Sequence, residues 1–373
     1  MPHQPKLAIL TPYYPPVLGG AENQLELLAH NLAGSGVQVD VFTSRLEGVK
    51  RAAIGGVSLV ECSAAFEKNS SWPSDLSNQL LINGNYEAAI ILLSSVHPSA
   101  VVSAAKILVQ RGAKVLIRLS SEGRFDALDG TERQSLSSLP VKFIVHSSSA
   151  KFNLAEKGVE IEKICTIPNA VHSRFLETGL PRRYSKRGNR RILYAGRFDP
   201  KKRLDGLIQA WRLIEGQYPA AELRIVGSGV WEHWKGRPSV WQGLVELIRI
   251  LKLKRVFVAD SKEPPEMVNE YNLSDVVINP SGNEGMSNLI LEGMAMRLPI
   301  ICSDIPANDF VHEGRGGWKF PSESMVAISR VLSQAQSAPV NILAQFGAWN
   351  RRWIEEHISI NLVLKTYREV LGW

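Results

Sequence analysis

Short runs rich in Val, Ile and Leu alternate with segments of helical period through almost the whole chain, on both sides of a polar interruption near residue 185. Antiparallel neighbours can be joined by a tight turn, but parallel strands need a crossover long enough for a helix, so this rhythm predicts parallel sheets flanked by helices. Helices on both faces also explain why the strands read as continuous apolar runs rather than as alternating ones. In the N-terminal half, strands are expected near Leu7 to Leu10, Val37 to Thr43, Ala88 to Leu93, Lys114 to Leu119 and Phe143 to Val145. The helix after Gly20 places Leu25, Leu28 and Leu32 on one face. Pro181 to Arg191 is basic, without apolar period, and reads as a surface linker. With 373 residues and 45% hydrophobic content the chain can fill two cores. The expected division is 1–178, 179–348 and a closing segment 349–373, with no internal repeat beyond the βα rhythm.

Two carboxylates mark the second half. Glu284 and Glu292 lie in Ser281-Gly-Asn-Glu-Gly-Met-Ser-Asn-Leu-Ile-Leu-Glu-Gly-Met-Ala295, directly after the strand-like run Asp275-Val-Val-Ile-Asn279. A loop leaving the carboxyl end of a parallel strand and entering a helix is where open α/β sheets bind ligands. Asn288 and Glu292 are four apart and share a helix face, while Glu284 stays in the loop, so one carboxylate can hold ligand hydroxyls from each element. For an isolated pair the plain alternative is a carboxylate stabilised by the helix dipole and a solvated helical position.

A basic pair stands at a second junction of the same kind. Arg191-Ile-Leu-Tyr-Ala-Gly-Arg-Phe-Asp-Pro-Lys-Lys-Arg-Leu204 reads as strand, glycine turn, then a helix with Leu204, Leu207, Ile208 and Trp211 inward. Arg197 and Lys202 straddle the turn, and Pro200 suits a first helical turn whose free amides, with two cations, would hold a pyrophosphate. A solvated basic turn is the alternative.

These segments resemble the retaining glycosyltransferases of glycosyltransferase family 4. Glu284-Gly-Met-Ser-Asn-Leu-Ile-Leu-Glu292 is similar to the family's E-G-x-x-N-x-x-L-E signature, and Gly196-Arg197 is followed five residues later by Lys202. Leu7 to Glu22 looks like the opening strand and Gly-Gly-x-Glu loop, Leu223 to Gly229 like the second C-terminal strand, and Ile167-Pro-Asn-Ala-Val171 like the segment before the domain linker. Each motif alone is weak, and Gly227-Ser-Gly229 is only part of a dinucleotide fingerprint; five in order make the resemblance specific.

The resemblance implies the GT-B fold, an α/β architecture of two Rossmann-like βαβ domains facing a central cleft, with the acceptor on the N-terminal side, the nucleotide sugar on the C-terminal side and a terminal helix crossing back. It implies a retaining hexosyltransferase that moves a sugar from a nucleoside diphosphate sugar, such as a UDP-sugar, to a glycan, lipid-linked or small-molecule acceptor, as in polysaccharide biosynthesis. Glu292 would bind the ribose, Glu284 the donor sugar, and Gly285, Met286, Ser287 and Asn288 the sugar and phosphate. Gly19 and Gly20 would offer amides to the diphosphate, and Gly227 belongs to the same donor site. Two alternatives are a sugar-nucleotide epimerase or hydrolase on this architecture and an impaired nucleotide-sugar-binding scaffold subunit.

Departing charge on a diphosphate must be neutralised. No Asp-x-Asp triplet occurs, so the expectation is a metal-independent reaction with Arg197 and Lys202 in place of the ion, and no cofactor. Many relatives have a histidine where Ser120 follows the Lys114 to Leu119 strand, which leaves His97, Ser120 and Glu122 as candidate sugar or acceptor contacts. Arg203 replaces a glycine usual after the lysine and is expected to add charge near the diphosphate.

Cys62, Cys165 and Cys302 are scattered without metal-like spacing and are assigned no chemistry. No signal peptide or bilayer-spanning run is visible, and a cytoplasmic protein is expected. The net charge of +7 comes without a nucleic-acid motif. No nucleic-acid partner is expected, and an anionic inner membrane face is the better use for that charge, beside plain solubility.

Overall fold

The computed structural model describes residues 4–15, 19–46, 55–63, 71–94, 97–177, 183–228 and 240–373. It divides into two compact units, 1–170 with 361–373, and 171–360. The expected boundary at 178/179 lies outside the described residues. Val171 and Phe175, ahead of it, already belong to the core of the second unit.

The first unit is a parallel sheet of seven strands: β1 (Lys6–Leu10), β2 (Gln38–Ser44), β3 (Val57–Cys62), β4 (Ala88–Leu93), β5 (Lys114–Leu119), β6 (Val141–Val145) and β7 (Ile164–Thr166), in the order β3-β2-β1-β4-β5-β6-β7. β4 is buried at every position of Ala88–Leu93, and β1, β2 and β5 at every position after their first, because helices cover both faces. Leu25, Leu28 and Leu32 of the helix Gly20–Gly34 are all buried, as their spacing predicts. At the carboxyl end of β5, the buried Arg118 donates to the Tyr367 hydroxyl at 3.1 Å and to Asn169 Oδ1 at 2.5 Å. One guanidinium thus holds the last segment before the chain leaves this unit and the helix on which it returns. Charged hydrogen bonds of this kind contribute about 1.5–3 kcal/mol each.

The second unit is a six-stranded parallel sheet: β8 (Arg191–Ala195), β9 (Glu222–Val226), β10 (Val256–Ala259), β11 (Val276–Asn279), β12 (Ile300–Ser303) and β13 (Gly317–Phe320), in the order β10-β9-β8-β11-β12-β13. The order reverses between β8 and β11, and the two basic residues and two glutamates follow these adjacent strands. Helix Asn288–Ala295 lies close on the sheet at Gly293, where a Cβ would stand 2.8 Å from Val277 Cγ2.

Two expectations need correction. The basic run is not a free surface linker. Pro181 and Arg182 lie outside the described residues, but Arg190 is fully buried, its guanidinium donating to the carbonyls of Ala335 and Ala338. Tyr184 OH donates to the Arg297 carbonyl at 2.6 Å and the Ser185 amide to Asp275 Oδ1 at 2.6 Å. A guanidinium can satisfy a helix's orphan carbonyls as well as it can face water, and the sequence does not distinguish the two. The closing segment is also two helices, Val340–His357 and Ile360–Leu371. Only the latter belongs to the first unit, held by Arg118 and by Lys114 Nζ, which donates to the Leu371 carbonyl at 2.7 Å.

Candidate active site

Lys202 ends the turn Pro200–Lys202 after β8, and its ammonium donates to Glu284 Oε1, in the loop after β11, in a short ion pair. The two side chains are only 15% and 12% exposed. Asn279 Nδ2, at the end of β11, lies 3.4 Å from the same oxygen, with Ser281 beside the carboxylate. Burial alone would raise the Glu284 carboxyl, but the Lys202 charge, the bonds from Lys202 and Asn279 and the neighbouring Ser281 dipole outweigh it and hold the group below the ordinary carboxylate range. Glu284 is therefore an ionised carboxylate beside a cation. The loop is locked from behind: Ser281 Oγ donates to Asn279 Oδ1 at 2.7 Å, and Ser303 Oγ, at the end of β12, donates to the Ser281 carbonyl.

Glu292 has the opposite setting. Its Oε2 accepts from the hydroxyl of Tyr271 at 2.7 Å, and burial pushes its carboxyl up to about 7, against the Tyr271 bond and the Arg174 charge, which both pull it down. Asn288 opens the same helix, with Gly285 and Ser287 buried and Met286 packed on the core just ahead of it. Arg197 is half-buried, and its carbonyl accepts from the Tyr194 hydroxyl at 3.0 Å. Burial and the Glu284 charge raise the Tyr194 phenol while the Arg197 charge lowers it, so both ions act on one buried ring. Gly227 is demanded by packing, since a Cβ there would fall 1.8 Å from the Gly196 carbonyl oxygen. Gly229 lies outside the described residues.

The turn after β8 departs from expectation. Pro200 opens a separate 3-10 turn, and Arg203, at φ 52°, breaks the chain into the left-handed region before the helix Leu204–Arg212 begins. A glycine usual at that position matches this backbone. The Lys201 amide is already taken by Asp199 Oδ1 at 3.1 Å, so it is not free for an anion. Arg203 does not reinforce the basic pair: its guanidinium crosses Gly282 to the Ser322 carbonyl and to Glu323 Oε1 at 3.1 Å.

In the first unit the candidates stand after β1, β4 and β5. Gly19 caps the helix Gly20–Gly34, and the buried Glu22 carboxylate folds back so far that a Cβ on Gly19 would lie 2.0 Å from Oε2. His97, at φ 46°, stacks on Trp72 at 5.9 Å and lines a small apolar recess with Leu10, Pro12 and Ile91. The Ser120 amide donates to the Leu93 carbonyl at 3.2 Å. The Glu122 side chain lies outside the described residues. Sequence reasoning missed His146, the residue after β6, whose ring nitrogens face the carbonyls of Leu119 at 2.9 Å and Ile167 at 3.1 Å. Burial, with the Arg118 charge, pushes it down to about 3, which makes it a neutral tie between backbone segments. Burial likewise pushes the Cys62 and Cys302 thiols up to about 12, far from thiolate chemistry. Among the described residues no group of three His, Cys, Asp or Glu could hold a metal ion, and no helix is long and apolar enough to cross a membrane.

Residues 189–335 match the family model described as Glycosyl transferases group 1. An uncharacterized glycosyltransferase of Haemophilus influenzae is 28% identical over 163 residues, covering 42% of this chain and 40% of that protein. A D-inositol 3-phosphate glycosyltransferase of Rhodococcus erythropolis is 28% identical over 197 residues, covering 48% of this chain and 41% of that one. The chain thus spans about two fifths of the length of these relatives. The crystal structure of Anabaena HepE in complex with UDP and glucose matches with a TM-score of 0.78 at 14% identity, over 99% of this chain and 100% of that one. The two parallel-sheet units have the fold of GT-B glycosyltransferases, and residues 189–335 are similar to the group 1 glycosyl transferases.

Proposed function

We propose that this protein is a retaining glycosyltransferase that uses a nucleoside diphosphate sugar, with UDP as the first nucleotide to test, and a glycan, lipid-linked or small-molecule acceptor. The observation that carries the reading is the buried Lys202–Glu284 pair at the point where the second sheet reverses order, with Glu292 on the helix that follows. Lys202 and Arg197 neutralise the departing diphosphate, Glu284 holds hydroxyls of the donor sugar, and Glu292 holds the ribose. The bond from the anomeric carbon to the phosphate oxygen breaks, a bond to the acceptor oxygen forms on the same face, and the acceptor's proton leaves with the diphosphate. The second unit is the nucleotide-sugar side in this reading and the first the acceptor side.

The test is incubation of the purified chain with a nucleotide-sugar panel, with and without saccharide, polyol and lipid-linked acceptors, read by mass spectrometry and anomeric NMR. Sugar transferred with its configuration kept supports the proposal. An inverted product removes retention, and a donor altered equally fast without any acceptor points to an epimerase or hydrolase. Because protein cations serve the diphosphate, activity should survive exhaustive chelation; complete loss with EDTA, restored by magnesium or manganese, would remove that role from Lys202 and Arg197. Arg183, Lys186 and Arg187 are exposed, and docking on an anionic membrane face is proposed from them. Vesicle binding should then rise with anionic lipid and fall with salt; salt-insensitive binding to neutral vesicles would dismiss it.

A further inference from the structure

The helix carboxylate is held from one side by Tyr271. This residue lies on the helix Pro264–Asn272, is fully buried, and packs edge-on against Phe175 with centroids 5.6 Å apart at 85°. Its hydroxyl reaches Glu292 Oε2 at 2.7 Å, whereas Oε1 carries no protein hydrogen bond among the described residues. A carboxylate on an otherwise free side chain would spread over several rotamers, and fixing it costs rotamer entropy when a ligand arrives. A buried phenol that has already committed one oxygen removes much of that cost and leaves the other oxygen directed.

We propose that Tyr271 is a positioning residue for nucleotide recognition, presenting Glu292 so that its second carboxylate oxygen accepts from the ribose hydroxyls. The inference rests on the placement of Glu292 at the ribose. Among the described residues, the phenol of Tyr271 and the charge of Arg174 from the turn Ser173–Phe175 act on the carboxylate, and both favour its ionised form against burial. Loss of the hydroxyl therefore releases the side chain and also shifts it toward the neutral acid, a poorer acceptor for a diol.

The experiment is calorimetric binding of UDP, GDP and ADP to the full chain, continued with the tightest of them and its 2′-deoxy analogue, on wild type, Tyr271→Phe, Glu292→Asp and Glu292→Gln between pH 6 and 8.5. Tyr271→Phe should weaken binding at neutral pH by about tenfold, the scale of one charge-assisted bond, and narrow the preference for the ribonucleotide over the deoxy form. It should move the pH at which affinity is gained upward from about 7 and raise donor KM more than it lowers kcat. Glu292→Asp, which withdraws the carboxylate from the phenol without touching Tyr271, should reproduce the loss. A Tyr271→Phe protein that is merely less heat-stable, with affinity, ribose preference and pH midpoint unchanged, would overturn the inference, as would Glu292→Asp binding like wild type. If Glu292→Gln itself leaves affinity and ribose preference intact, or none of the three nucleotides binds, the placement of the ribose fails first.

Discussion

Glu284 and Glu292 are eight residues apart, and burial acts on both carboxyls in the same direction. In the loop, the Lys202 ammonium and neighbouring neutral polar groups reverse that effect and hold the Glu284 carboxyl below the ordinary carboxylate range. On the helix, one phenol and one more distant guanidinium do not, and Glu292 rests at about 7. What burial does to a carboxyl is thus decided by which strand end faces it: the loop meets the turn after β8, while the helix turns toward Tyr271. An ionised carboxylate paired with a phosphate-seeking cation suits the place where charge develops, whereas a carboxyl at the edge of ionisation makes hydroxyl binding depend on pH.

The largest expected effect comes from separating the loop pair. Lys202→Ala removes a charge-assisted contact to phosphate worth about 1.5–3 kcal/mol, so kcat/KM should fall by roughly ten to a hundredfold or more, with both rate and donor affinity affected. It also leaves Glu284 without its cation, so the variant's loss of stability relative to wild type should be larger near neutral pH than in acid. A variant within twofold of wild type in kcat/KM would detach Lys202 from the donor.

A difference in the sign of pH dependence should follow. Glu284, depressed in the folded chain from its ordinary 4.5, contributes stability present above that value and lost as pH falls through its lower folded value. Glu292, raised from 4.5 to about 7, binds its proton more tightly folded than unfolded, so its contribution is full in acid and is lost as pH rises from 4.5 through 7. Chemical denaturation at pH 5 and pH 8 should show Glu292→Gln gaining on wild type at the higher pH. The gain should be at most roughly 3 kcal/mol, since each pH unit between the unfolded and folded values is worth about 1.4 kcal/mol. Glu284→Gln should lose at both. Parallel curves for the two variants would erase the distinction.

Of these contrasts the sequence shows the frame and not the signs. Interior strands such as β4, Ala88–Leu93, are legible because both faces are covered and the residues are uniformly apolar. The edge strands β3 and β7, absent from the expected set, are short or half-exposed and carry Ser58, Glu61 and Thr166, so little separates them from loop. The pairing of Lys202 with Glu284 is within reach of the sequence, because two strand-to-helix junctions in one parallel sheet bring their loops to the same edge. Tyr271 is not, since it lies on a different helix, 21 residues before Glu292, and no periodicity links them. Arg203 misleads for a related reason: its charge is plain in the sequence, but the left-handed backbone that turns it away toward Ser322 is a tertiary outcome.

The division of labour between the two glutamates is tested most directly by steady-state kinetics of Glu284→Gln and Glu292→Gln at pH 8, with the donor that the wild-type chain turns over. Glu284→Gln should depress kcat at saturating donor, because it removes negative charge beside the carbon where positive charge develops. Glu292→Gln should chiefly raise donor KM, because the ribose is remote from that carbon. The reverse pattern, with turnover at saturation damaged by Glu292→Gln and only donor affinity changed by Glu284→Gln, would contradict the placement of sugar and nucleotide along this loop and helix.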